Sequence, residues 1–197
     1  MRMQRRDAWM GLALLALLVT PPLRPWIEGR MATHMLLQFP ALVLAGALLA
    51  GALPAPLRTR LADWNAQGIA GLTLAALVMA LAMVPRLLDL ALVDARVEVA
   101  KCAALLLCGA ALRLSWREAG LVVQGFFLGN VLPMTAIVGW LYETAAVRLC
   151  QAYRLDEQQW LGQCLAWTAA AVAALWLAHA FWRMTRPPGS TATHQPL

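Results

Sequence analysis

The sequence predicts an all-α, polytopic integral membrane helix bundle of about six transmembrane helices, and three observations predict it. Of 197 residues, 61% are hydrophobic and 13% are charged. The mean hydropathy is +0.64. Apolar runs of about the 20 residues that a crossing needs recur between breaks of Pro, Gly and charge. A water-soluble domain carries about 25% charged residues, so a soluble enzyme and an intrinsically disordered chain are both excluded. The net charge of +6 reads as membrane-flanking Lys and Arg rather than as a nucleic-acid footprint. The expected partner is membrane lipid, with no nucleic acid.

The first span, near 8–23, follows Arg2, Arg5 and Arg6 and closes at Pro21 and Pro22. A signal peptide has similar parts, but no small-x-small cleavage site follows this run, so it is read as a retained, short span. The second, near 31–53, opens with MATHMLLQFP, and the third, near 68–92, ends in VPRLLDLAL. The fourth, near 97–114, begins at Glu98 and Lys101. In the fifth, near 119–142, Gly125 and Gly129 form a GxxxG that allows close helix approach, beside Gln124 and Asn130. The sixth, near 160–182, is introduced by LDEQQ. Residues 1–186 are thus one transmembrane domain, and 187–197 a disordered C-terminal tail. With the N-terminus inside, nine Lys or Arg residues fall inside and seven outside, while most acids fall outside. Both termini are expected in the cytoplasm of a bacterial inner (plasma) membrane.

Ionisable groups in a span are costly and call for a partner or a role. Arg86 and Asp89, and likewise Glu98 and Lys101, are three residues apart and share a helical face. The short connection between their spans brings the pairs together, so mutual neutralisation at an outer hairpin and a functional polar site beside it are both open. His34 sits a turn inside the outer edge, where it can bind a metal, carry a proton or bond a carbonyl. Met83 and Cys102 also lie at outer span ends, with Gln158 on a fourth. Imidazole, thioether and thiolate suit monovalent copper, although Met and Cys are also ordinary packing residues. Cys102, Cys108, Cys150 and Cys164 have no CxxC spacing and read as buried free thiols.

Three segments carry a resemblance. THMLLQFPALVLAG resembles the second-span signature of the CtaG-like cytochrome c oxidase assembly factors, VPRLLDLAL is similar to their proline-to-aspartate stretch, and LDEQQWLGQCLAW resembles the acidic segment opening their late helix. In order, with the helices between them, they cover roughly residues 30–182. The resemblance implies a divergent member of that family: a multi-span inner-membrane protein that matures a haem–copper oxidase, with copper handled at the outer face. It implies His34 as a metal ligand, with Met83 and Cys102 where the family has histidines, and with oxidase subunits or a copper donor protein as partners. The chain departs from the pattern at Arg30, where the family has an earlier histidine, and in having six expected spans where seven are common. Either Glu157 or Gln158 takes the acidic place.

A non-enzymatic assembly factor is therefore the leading expectation. A small-solute or ion permease would carry polar residues across the whole bilayer, whereas here they cluster on one side. A structural subunit of a membrane complex needs no site of its own. An enzyme is not expected, because no nucleophile–base pair, HExxH or carboxylate dyad occurs.

Overall fold

The computed structural model describes residues 2–185, with side chains from residue 4 onward, and among them the chain is helical throughout, without a strand. The expected tail, 187–197, lies outside the described residues. Helix α1 (Arg2–Val19) stops ahead of Pro21 and Pro22, which cannot donate the backbone bonds that would extend it. Helix α2 (Arg24–Glu28) is little more than one turn, opened by Pro25. A π-helical segment, Thr33–Gln38, then runs directly into α3 (Phe39–Gly51), whose second residue is Pro40. Pro40 has no N–H to give, and its ring crowds the carbonyl one turn back, so the helix widens ahead of it. The widened turns hold His34 and Gln38, both buried.

Helix α4 (Ala55–Trp64) meets the segment Ala66–Ala82 at a bend of 66°. The chain turns through Gln67 and Gly68, at φ 56° and 70°. The Asn65 side-chain Oδ1 accepts from the Gly71 N–H at 2.8 Å while its side-chain Nδ2 donates to Ser115 Oγ at 2.9 Å. Helix α5 (Ile69–Ala82) is separated from α6 (Pro85–Val93) by an extended Val84, the backbone that a residue preceding proline prefers. The span expected near 68–92 is thus two helices. Asp94 caps α7 (Ala95–Ser115), its carboxylate accepting from the Arg96 N–H at 2.8 Å. Helix α8 (Gly120–Thr144) carries Pro133 internally, and α9 (Leu155–Thr185) runs for 31 residues.

In the packing, α3 touches α1 and α7, α7 touches α5 and α6, and α8 touches α5 and α9. Two crossings are close because they fall on glycine. A Cβ at Gly109 would lie 1.8 Å from the Val43 carbonyl oxygen, and one at Gly46 2.0 Å from that of Leu106, so α3 and α7 meet backbone to backbone. Between α8 and α9, a Cβ at Gly162 would lie 2.4 Å from the Gly139 oxygen. The expected GxxxG contact does not occur among the described residues: Gly129 has nothing within 4 Å, and Gly125 faces the Trp176 ring.

Among the described residues three helical stretches, Thr33–Gly51, Gly120–Thr144 and Leu155–Thr185, are long and apolar enough to cross a membrane, or four if the bent pair Ala55–Trp64 and Ala66–Ala82 is one span. This falls short of the six expected. Helix α1 starts in a charged segment, α7 carries Arg96, Glu98, Lys101 and Arg113, and the third expected span breaks before Pro85. The surface is consistent with a membrane protein. Val122, Phe126, Trp167 and Leu175 are among many exposed large apolar side chains, while Glu28, His34, Gln38, Glu98, Gln124 and Gln158 are buried. Such a distribution suits lipid rather than water as the surrounding solvent.

Candidate functional site

At one end of the bundle, α2, the π-helical segment, α7 and the loop before α9 each bring polar side chains to one buried cluster. Two turns of α7 supply Glu98 and Lys101, three residues apart, with Nζ 2.7 Å from Glu98 Oε2. The short helix α2 supplies Arg24 and Glu28, four apart and joined at 2.9 Å. The π-helical segment supplies His34 and Gln38, again four apart. Lys101 Nζ lies 2.9 Å from His34 Nε2, 3.3 Å from Gln38 Oε1 and 3.6 Å from Glu28 Oε1. The Gln38 amide donates to Glu28 Oε1 at 3.1 Å. Arg24 also reaches Glu98, at 3.8 Å. Two cations and two carboxylates therefore balance, as a buried charged group requires.

The hydrogen bonds have a direction. An ammonium only donates, so Nε2 of His34 accepts and the ring is neutral with its hydrogen on Nδ1. That Nδ1 lies 2.7 Å from the Tyr153 oxygen, to which it donates, and the Tyr153 hydroxyl donates to the Glu28 carbonyl at 2.9 Å. Burial first, and then the nearby Glu28 charge, push the Tyr153 phenol above its usual range, so it stays protonated as that donor. Phe39 closes the cluster, its ring edge-on to His34 at 5.3 Å and facing Lys101 Nζ at 5.7 Å.

The loop carrying Tyr153 is itself tied down by expected site residues. Asp89 accepts from the backbone N–H groups of Gln151 and Ala152 at 2.8 and 3.2 Å. Gln158 accepts from the Leu149 N–H at 2.7 Å and donates to the Tyr142 carbonyl at 3.2 Å. Tyr142 in turn donates to the Met83 carbonyl at 3.3 Å. Cys150 is buried in this loop, and burial, followed by the Asp89 charge, pushes its thiol up to about 12.

Of the expected polar cluster, the structure brings Glu98 and Lys101 together and sets Asp89 and Gln158 to the loop. Arg86 is exposed and forms no ion pair with Asp89 among the described residues. Of the expected metal ligands, His34 has both ring nitrogens engaged, and the Cys102 thiol donates to Glu98 Oε1 at 3.3 Å. Met83 ends α5, where its polar contact is through its carbonyl. Among the described residues no group of three or more His, Cys, Asp and Glu side chains could hold a metal ion. Sequence reasoning missed Arg24, Glu28, Gln38 and Tyr153. The first three carried a usable signal, since Arg24 with Glu28 and His34 with Gln38 are at i,i+4 spacing; Tyr153, in a loop, carried none.

Comparison with protein-family models, with curated proteins and with solved structures finds no match to this chain.

Proposed function

We propose that this chain is a non-enzymatic membrane protein that assists assembly of a haem–copper cytochrome c oxidase. The observation that supports this reading is a convergence. The three segments resembling CtaG-like assembly factors meet on the single loop 145–154: His34 of the first binds Tyr153, Asp89 of the second binds Gln151 and Ala152, and Gln158 of the third binds Leu149. Segments scattered over the sequence thereby build one end of the bundle, which is the expected behaviour of a shared functional surface. Copper as cargo at His34, Met83 and Cys102 is the narrower form of the proposal, and it requires His34 and Cys102 to give up their present partners.

Helices α1 and α7 cross beside the apolar spans in this proposal. The Glu98 and Lys101 charges of α7 are paired within the protein, which lowers the cost of carrying them into the bilayer. With both termini cytoplasmic, the His34 end faces outward, in the bacterial inner membrane. Reporter fusions after Trp64 and after Thr185 are expected to register cytoplasm; an external signal from either overturns this orientation.

Deleting the gene from its native host tests the role. Oxidase subunits should still be made, but haem–copper oxidase activity should fall several-fold and return when the chain is supplied in trans. Full oxidase activity in the deletion strain would refute an assembly role and favour a permease or a structural subunit of another complex.

A further inference from the structure

We propose that Lys101 is a tethered cation filling a preformed, ammonium-sized cage, so that His34 serves the protein's own ammonium group and not a metal ion. This inference does not rest on the oxidase-assembly reading, and it excludes the narrower form of that reading in which His34 carries copper.

Two hydrogen-bond acceptors, His34 and Gln38, and two carboxylates, Glu28 and Glu98, on three elements surround one position. Around Lys101 Nζ stand Glu98 Oε2 at 2.7 Å, His34 Nε2 at 2.9 Å, Gln38 Oε1 at 3.3 Å and Glu28 Oε1 at 3.6 Å. The Phe39 ring lies beneath at 5.7 Å, within the range of cation–π attraction. The three nearest distances are those of ammonium hydrogen bonds and close ion pairs. A transition metal would need nitrogen and oxygen ligands at about 2.0–2.2 Å, and the cage would have to contract around it. The acceptors are also held from behind: Glu28 by Arg24 and by the Gln38 amide, and His34 by Tyr153. Glu98 Oε2 is buried and among the described residues has no hydrogen-bond partner of good geometry, so the ammonium is its nearest compensation. An incoming metal must therefore displace a covalently attached competitor and leave its ammonium without the acceptors that now surround it.

The cage makes two demands. In the full-length wild-type protein with 15N-labelled histidine, the His34 ring, assigned by its loss in His34→Gln, should show a protonated Nδ1 and an accepting Nε2. One equivalent of monovalent copper or of zinc should leave both resonances in place. A shift or loss of the His34 signals on adding either metal, or a hydrogen on Nε2, overturns the proposal. In Lys101→Ala the melting temperature should fall, and ammonium chloride should recover part of the loss where sodium chloride at equal ionic strength does not. Equal responses to the two salts would overturn the cage. If Lys101→Ala does not fold, the wild-type spectrum decides alone.

Discussion

Gly109→Ala should lower stability by about 3 kcal/mol, measured as thermal unfolding in detergent, with Gly46→Ala close behind. The added methyl of Gly109→Ala would start 1.8 Å from the Val43 carbonyl oxygen, and that of Gly46→Ala 2.0 Å from the Leu106 oxygen. Both obstacles are backbone, so no rotamer change makes room, and α3 and α7 must move apart along their contact. In lipid or detergent, helix association depends on close packing, since the surroundings are as apolar as the side chains, and a separated pair has little to replace the lost contact. Gly129→Ala is the internal comparison. Among the described residues nothing lies within 4 Å of its Cβ position, and alanine favours helix over glycine by about 1 kcal/mol. It should be neutral or stabilising. A Gly109→Ala protein as stable as the parent would show that α3 and α7 do not pack so closely.

That contrast marks where sequence reading stops. A GxxxG within one helix is visible as a pattern, yet the glycines that matter stand singly on different helices, Gly46 facing α7, Gly109 facing α3, and Gly139 facing Gly162. Which single glycine meets which backbone is decided by tertiary packing. The helices themselves were legible because apolar runs bounded by Pro and charge recur throughout the chain. The expected span near 68–92 failed locally, because Pro85 holds Val84 extended and ends α5. The number of crossings was not legible from apolar length alone, since α7 is a continuous helix with four charged residues.

The charged site divides in the same way. Glu98 and Lys101, three apart on one helix, pair as their spacing implies. Arg86 and Asp89 have the same spacing, but Asp89 takes two backbone N–H groups of a loop distant in sequence. A carboxylate gains more from two fixed donors than from an exposed, flexible guanidinium. Soft-donor chemistry pointed to His34, Met83 and Cys102 as metal ligands, whereas the structure engages His34 with Lys101 and Tyr153 and Cys102 with Glu98. The positive charge of Lys101 beside that site was legible as a weakness of the metal reading, but its direct contact with the imidazole was not.

Lys101→Met is accordingly expected to be among the most damaging single changes in the cluster, at about 3–5 kcal/mol, because it leaves Glu28 and Glu98 buried with only Arg24 to serve both. Lys101 and Glu98 are each less than a tenth exposed, so water and salt compensate little for a missing partner. Glu98→Gln removes one negative charge while keeping the shape, and in the Lys101→Met background it should recover a large part of the loss. The double mutant should thus be more stable than the sum of the single effects, by about 1–3 kcal/mol. Arg86→Ala and Asp89→Ala form the matching cycle. Asp89→Ala should cost about 1–3 kcal/mol through the two orphaned loop N–H groups, Arg86→Ala close to nothing, and the pair should add. Thermal unfolding of all six variants in one detergent separates these outcomes. Additivity at Glu98 and Lys101 would remove the ion pair from the account of the cluster, while coupling at Arg86 and Asp89 would restore the pairing that their spacing suggested. Coupling confined to the first pair would show that Glu98 and Lys101 compensate each other's buried charge on α7, and that Asp89 serves the loop and not Arg86.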